Sequence, residues 1–145
     1  MGGQGVLGGQ GGVMHQLTYI TLLVDDYDKA IRFYTQKMNF VLVEDTPLTA
    51  EKRWVVIRPD GGGCGFLLAK AKGPQQETAI GAQSGGRVFA FLHTTNFDQD
   101  YQQFINNGVE LIRERSEEVY GTVAVFADCY GNLFDLVGPK RHETT

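Results

Sequence analysis

Apolar and polar positions alternate in the same way along residues 19–44 and 89–114. Each stretch has the pattern of a strand, then an Asp- or Asn-containing turn, an apolar helical stripe and a second strand. A further strand, a Gly-containing turn and a last strand follow in each case, over residues 53–69 and 122–137. The sequence therefore predicts a duplicated βαβββ unit, and two half-domains of this kind can build one shared concave sheet.

The spacing of apolar residues and the residues at their ends predict the two helices. The first stripe has the helical spacing i, i+3, i+4, i+7 and i+11 and comprises Tyr27, Ala30, Ile31, Tyr34 and Met38. The second comprises Phe97, Tyr101, Phe104 and Ile105. Asp25 or Asp26 is the expected cap of the first helix, Asn96 caps the second, and Gly108 ends it. Both stripes are interpreted as helix faces that pack on the sheet.

Strand alternation assigns one set of side chains to a cleft on the face away from the helices. This set is mostly aromatic or apolar and comprises Tyr19, Thr21, Leu23, Phe89, Phe91, His93, Leu133, Asp135 and Val137. The alternate residues, such as Leu22 and Leu92, are expected to pack against the helices. In residues 53–58 the same alternation puts one set on one face, Arg53, Val55 and Ile57, and the other set on the opposite face, Trp54, Val56 and Arg58. An apolar lining interrupted by a few polar groups is typical of a pocket for a small molecule.

Length and composition indicate one compact domain, because 145 residues with 42% hydrophobic content are enough to bury a core. The formal net charge of −4 gives no electrostatic reason to bind nucleic acid. No apolar run approaches the roughly 20 residues that cross a bilayer, so no membrane partner is expected. Cys64 and Cys129 are interpreted as unpaired thiols in a reducing compartment, which predicts a cytoplasmic protein.

The ends and the centre of the chain differ from the repeated units. Residues 1–13 are mostly Gly and Gln and are expected to form a flexible extension, or to precede a start at Met14. Residues 14–139 are expected to form the domain, with modules at about 14–72 and 86–139, and residues 140–145 a polar tail. The Gly- and Pro-containing link over residues 71–86 is predicted to be a crossover loop.

Two segments at matching places of the two units resemble a known family. The first unit opens with LLVDDYDKAIRFY and the second closes with DCYGNLFDL, and the paired pattern covers residues 14–139. In these two segments and in the paired pattern, the chain is similar to the glyoxalase/bleomycin-resistance/dioxygenase family, which is also called the vicinal oxygen chelate superfamily. The resemblance implies an α+β fold in which two βαβββ modules form a cupped mixed β-sheet with helices on the outside, and it implies a homodimer.

The metal of that superfamily is not expected here. Metal-dependent relatives carry His or Gln at the start of strand one in each half and a Glu or similar ligand near each last strand. The matching positions are Tyr19, Phe89 and Asp135, and residues 61–72 contain neither a carboxylate nor a His. Phe cannot ligate a metal and a neutral Tyr is a poor ligand, so we predict no metal and no cofactor.

The remaining candidates concern acid–base chemistry and ligand contact. His93 is a candidate general acid or base with Asp135 as its partner; the alternative is a polar pocket wall. The predicted ligand contacts are Tyr19, Arg53, Trp54, Arg87, Phe89, Phe91 and Tyr120. Arg suits a carboxylate or phosphate and an aromatic ring suits stacking, whereas the alternative is an exposed strand-end Arg and a core Trp.

The sequence thus predicts a metal-free protein that binds a small, partly apolar or aromatic organic molecule in a cleft. An enzyme is the alternative: a lyase, isomerase or dioxygenase that uses His93 or an atypical metal site. A regulatory module with a packed cleft is the third hypothesis.

Overall fold

A computed structural model describes residues 12–140. The first module contains β1 (Tyr19–Val24), α1 (Tyr27–Lys37), β2 (Phe40–Pro47), β3 (Arg53–Pro59) and β4 (Gly65–Lys70), followed by α2 (Gly73–Ala79) in the link. The second contains β5 (Val88–His93), α3 (Phe97–Asn106), β6 (Glu110–Glu118), β7 (Gly121–Ala127) and β8 (Leu133–Gly138). The predicted α+β class and the two βαβββ modules are confirmed. Most of the predicted extension and tail lies outside the described residues.

Both predicted helices begin at the capping residues that the sequence indicates. The Asp26 side chain accepts hydrogen bonds from the backbone N–H groups of Asp28 and Lys29, at 2.8 and 3.3 Å. The Asn96 side chain accepts one from the N–H of Gln99 at 3.2 Å. These contacts satisfy donors that a helix N-terminus otherwise leaves free.

The strands form two four-stranded sheets in the orders β1-β4-β3-β2 and β5-β8-β7-β6. In each sheet the first strand of the module pairs in parallel with the last, and the other pairs are antiparallel. Within residues 12–140, β1 and β5 are edge strands, so the strands of one chain do not form the single shared sheet that the repeat predicts. That detail of the prediction is wrong, because the two modules meet through side chains instead.

The helix-side faces of both sheets contribute to one hydrophobic core. Tyr34 of α1 packs against Phe66 of its own module and Phe134 of the other, with ring centroids 6.0 and 6.1 Å apart. The Tyr34 hydroxyl also donates a short hydrogen bond to the buried Asp128 carboxylate. Burial raises the pKa of Tyr34 well above its usual value, so the hydroxyl stays a donor. The two modules are therefore joined by core packing around α1.

The link between the modules contains a helix that the sequence pattern does not predict. α2 spans Gly73–Ala79 and none of its residues is buried. Because α2 has no buried face, it has no apolar periodicity. Pro74, which the sequence pattern places in a loop, lies in the first turn of this helix. Proline is tolerated there because the first N–H groups of a helix have no intrahelical partner. The prediction of a plain crossover loop is wrong for this reason.

Candidate functional site

The face of the first sheet that points away from the core is called here the first outer face. Along β3, Val55 and Ile57 are fully buried in the core, while Trp54, Val56 and Arg58 alternate with them. The predicted division of this strand into two faces is thus confirmed. Leu67 lies beside Val56 in register and Ala69 lies beside Leu23, so these apolar residues belong to the same face.

A cavity of about 610 Å³ lies on the first outer face. Trp54, Leu67 and Ala69 form an apolar floor. The β2–β3 loop contributes Thr49, Glu51 and Lys52 to one wall, and Lys70, Ala71, Lys72 and Gln76 line the side next to α2. Trp54 remains 36% exposed, so one part of its ring is accessible from the cavity. A concave apolar floor with a few polar groups at its rim suits a small organic molecule.

A second cavity of about 440 Å³ adjoins the other end of the same strands. Tyr19, Val56 and Arg58 line it together with Cys64 and the segment 16–18 that precedes β1. The first outer face therefore presents an aromatic ring at each end, Trp54 in one cavity and Tyr19 in the other. The sequence assigns both residues to a ligand site, and the structure places them on one face but in separate cavities.

Arg53 lines the larger cavity, but its guanidinium is occupied by other residues of the chain. Nη2 lies 2.7 Å from Asp45 and 2.9 Å from Asp28, and Nε lies 3.1 Å from Asp45. The group also lies over the Tyr27 ring, 5.1 Å from its centroid. These contacts raise the pKa of Arg53, chiefly through the Asp45 hydrogen bonds. Arg53 cross-links α1, β2 and β3 rather than presenting a free clamp.

The corresponding second outer face, on the other sheet, has a different lining. Phe91, Asp135, Val125 and Arg113 lie in one row across β5, β8, β7 and β6. Val123, Val125 and Val137 are buried to between 5 and 7% exposure although they lie outside the common core. Burial raises the pKa of Asp135, and the Arg113 charge opposes that rise. This face combines tightly packed valines with one desolvated carboxylate.

Phe89 does not share a face with Phe91, and the parity prediction is wrong at this residue. The register of β5 against β8 shifts between Val88 and Ala90. The Phe89 ring consequently packs against Phe66 and Phe134 of the core, with centroids 5.7 and 6.3 Å apart. Phe91 is 62% exposed and lies beside Asp135. A one-residue irregularity of this kind turns the side chains before it to the other face.

His93 lies at the seam between the modules. It lines a cavity of about 310 Å³ with Met38, Phe40, Asp60, Thr94, Asp100 and Phe104, among others. Its imidazole makes no hydrogen bond or ion pair with any residue of the range 12–140, and it therefore has no bond to Asp135. The predicted acid–base pair is not assembled in the structure, although His93 itself lines a cavity.

The two other predicted ligand contacts lie in turns. Arg87 precedes β5, where its carbonyl accepts a hydrogen bond from the Ser84 hydroxyl at 2.6 Å. Tyr120 lies between β6 and β7 and is 64% exposed. The structure brings neither residue into the lining of the 610 Å³ cavity.

The residues at the metal-ligand positions of the superfamily do not form a donor set. Phe89 is packed against the core, and Tyr19 and Asp135 belong to different sheets. Within residues 12–140 no group of three or more His, Cys, Asp or Glu side chains could hold a metal ion. The two cysteines are unpaired, and burial raises the pKa of Cys129 to about 11, which disfavours a reactive thiolate.

Sequence reasoning missed the basic residues at the rim of the larger cavity. Lys52, Lys70 and Lys72 come from the β2–β3 loop, the end of β4 and the residue before α2. The short spacing between Lys70 and Lys72 was visible in the sequence. Their approach to Lys52 was not, because it depends on the pairing of β3 with β4.

The paired βαβββ architecture and its two outer faces place the chain in a structural class of two-module α+β proteins. The family described as the Glyoxalase/Bleomycin resistance protein/Dioxygenase superfamily matches residues 16–136. The chain belongs to this superfamily, as the sequence resemblance indicates.

Related proteins match over most of their length. An uncharacterized protein of Shewanella frigidimarina (strain NCIMB 400) is 50% identical over 123 residues, which cover 83% of this chain and 91% of that protein. The crystal structure of UcmS2 is similar at 29% identity and a TM-score of 0.74, covering 86% of this chain and 98% of that one. TnmS3, an antibiotic binding protein from Streptomyces sp. CB03234, matches at 24% identity and a TM-score of 0.71, covering 90% and 100%. None of the helices within residues 12–140 is long and apolar enough to span a membrane.

Proposed function

We propose that this chain binds a small, partly apolar or aromatic organic molecule on the first outer face, without the metal of the superfamily. The observation that carries the proposal is the 610 Å³ cavity with its floor of Trp54, Leu67 and Ala69. Burial of an aromatic ligand against Trp54 would remove apolar surface from water and allow ring stacking. Tyr19 is the corresponding aromatic contact in the adjoining 440 Å³ cavity.

The solved relatives are consistent with a binding role. TnmS3 is described as an antibiotic binding protein, and its likeness to this chain at 24% identity is a likeness of fold. We include antibiotic binding by this chain in the proposal, as one form of the small-molecule binding described above. One fold supports many functions, so the proposal rests on the cavity rather than on the fold.

The proposal includes a cytoplasmic homodimer. Within residues 12–140, β1 and β5 are edge strands. The Gln83 side chain already bonds to the Leu23 N–H and the Thr21 carbonyl of β1, so β5 is the edge proposed to pair with another chain. The first and second outer faces also expose Tyr19 and Phe91, at 42 and 62%.

Native mass spectrometry of the untreated protein tests the proposal in one experiment. The expected spectrum shows a dimer that carries an organic molecule and no divalent metal. Elemental analysis with close to one Zn, Ni, Mn or Fe per chain would contradict the metal-free part. A protein without ligand that also binds no member of an aromatic compound library would contradict the binding function.

An enzyme is the second candidate function, favoured by one observation. His93 lines a cavity and its imidazole has no partner within residues 12–140, so it is available as a general acid or base. Asp135 remains its candidate partner only if the two groups approach each other in a complex. Turnover of a bound compound that disappears in His93→Gln, with binding unchanged, would support this candidate; turnover retained in that variant would eliminate His93.

A further inference from the structure

The larger cavity on the first outer face carries a basic rim above its apolar floor. Lys52, Lys70 and Lys72 line it, against the single carboxylate of Glu51. This local excess of positive charge contrasts with the chain as a whole, which has 13 basic and 17 acidic residues. We propose that the cavity binds an organic anion, an aromatic or apolar molecule with a carboxylate, sulfonate or phosphate group. The inference rests on the proposed function, since it names the class of ligand for that site.

The backbone positions of the three lysines are fixed by hydrogen bonds. The Lys52 carbonyl accepts from the N–H groups of Leu48 and Thr49 at 2.8 and 3.1 Å, and the Lys52 N–H donates to the Thr49 hydroxyl at 3.0 Å. The Lys72 N–H donates to the Gln76 side chain at 2.8 Å. Lys70 ends β4 beside Val24 of β1. A ligand therefore meets ammonium groups attached to ordered backbone, which lowers the entropic cost of binding.

The ammonium groups of these lysines are available, because none of the three forms an ion pair with a residue in the range 12–140. The Arg53 charge is already matched by Asp45 and Asp28. Glu44 lies on the same face, through its register with Val56, and accepts a hydrogen bond from Thr46 without lining the cavity. Among residues 12–140, Lys52, Lys70 and Lys72 thus line the cavity without an internal ion pair, and Glu51 is the acidic residue of the lining.

A ligand in this position meets apolar surface and charge together. Its ring would lie on Trp54, and its anionic group would reach the lysines at the rim. The charge attraction is strengthened beside an apolar floor, where less water screens it than at an open surface. Lysine acts as a mobile point charge, so the site accepts several anionic groups rather than one fixed geometry.

Trp54 is the only tryptophan of the chain, so its fluorescence reports on this cavity. The first test compares collisional quenching by iodide, an anion, with quenching by caesium, a cation, at constant ionic strength. Each quenching constant is normalised to that of free N-acetyltryptophanamide. A positive rim should make the normalised iodide constant at least about twofold larger than the caesium constant, and added inert salt should reduce the difference.

Two matched variants assign the effect to the rim. The triple variant Lys52→Gln/Lys70→Gln/Lys72→Gln should abolish the preference for iodide. The control Arg32→Gln/Lys37→Gln/Lys140→Gln removes the same charge from positions outside the cavity lining and should retain it. Equal quenching by both ions in the unmodified protein, or an equal loss in both variants, would overturn the inference.

A pair of dyes tests ligand binding directly. 8-Anilinonaphthalene-1-sulfonate and N-phenyl-1-naphthylamine share one aromatic skeleton, and only the first carries a negative charge. The sulfonate should bind about fivefold or more tightly than the neutral dye, corresponding to about 1 kcal/mol, and the rim variant should remove this advantage. Equal affinity for both dyes, lost in Trp54→Ala, would overturn the anion inference while retaining the proposed function. Binding of neither dye would count against both.

Discussion

The two outer faces come from the same βαβββ repeat but present different surfaces. On the first sheet, Trp54, Leu67 and Ala69 form the floor of a 610 Å³ cavity with a basic rim. On the second, Val123, Val125 and Val137 are nearly inaccessible, and Asp135 lies in a row between Phe91 and Val125. The same backbone pattern therefore carries an aromatic and basic cavity on one face and a carboxylate among buried valines on the other.

The difference between the two faces favours the first module as the one that carries the proposed ligand site. Both modules supply helix-side residues to one core, so neither is dispensable for stability. The first outer face presents Trp54 in a cavity that three lysines line, whereas the second presents Phe91 beside the Asp135 carboxylate. Function in a duplicated fold is thus assigned by the side chains of one face and not by the repeat.

The largest expected effect separates the two phenylalanines of β5. Phe89→Ala should lower the free energy of unfolding by about 2–3 kcal/mol, since its ring packs against Phe66 and Phe134. Phe91→Ala should cost less than about 1 kcal/mol in the monomer because that ring is 62% exposed. Urea melts measure both values. A costly Phe91→Ala would show that the second outer face is covered, for instance by a second copy at the protein concentration used.

A second pair of variants compares the floors of the two faces. Val125→Ala should lower the free energy of unfolding by about 2 kcal/mol and leave ligand affinity unchanged, because Val125 is 5% exposed and lies in the closed face. Trp54→Ala should weaken dye binding at least about tenfold, in contrast to Val125→Ala. The reverse pattern in melts and titrations would exchange the roles of the two faces.

A third variant examines the contact that both modules share. Tyr34→Phe removes the hydroxyl that donates to Asp128, so one donor to this buried carboxylate is lost. The expected cost is about 1–2 kcal/mol, and the dye affinity should not change. Asp128 keeps the backbone N–H groups of Tyr130 and Asn132 as donors, at 2.9 and 2.8 Å. A changed dye affinity would show that the seam and the first outer face are coupled.

Local patterns in the sequence were enough to predict the class, the repeat, the two main helices and their caps. They were also enough to assign Trp54 and Val56 to the face opposite Val55, because β3 is regular. They failed at Phe89, since a register shift in β5 depends on its pairing with β8 and leaves no mark in the alternation of residues. They also missed α2, which has no buried face.

The candidate site was predicted less completely than the fold. Trp54 and Tyr19 were identified because aromatic residues at strand positions point to one face. The lysine rim was not, since it joins residues from a loop, a strand end and the start of α2. Arg53 was predicted to clamp a ligand, and its partners Asp28 and Asp45 could not be identified before the packing of α1 and β2 on β3 was known. The role of each residue in binding stays a prediction.

The smallest expected effect concerns the desolvated carboxylate of the second outer face. Burial raises the pKa of Asp135 in the folded chain, and Arg113 opposes this only in part. A raised pKa means that the protonated group is favoured by folding, so its contribution to stability is full below the unfolded value of about 3.9 and is lost as the pH rises through the folded value.

Asp135→Asn should therefore be more stable than the unmodified protein near pH 7, and the difference should vanish at about pH 3. Thermal melts at both pH values measure the difference. If Asp135→Asn is less stable near pH 7, attraction to Arg113 outweighs desolvation. Asp135 and Arg113 would then form a stabilising ion pair on the second outer face. The two outer faces would no longer differ in the way described above.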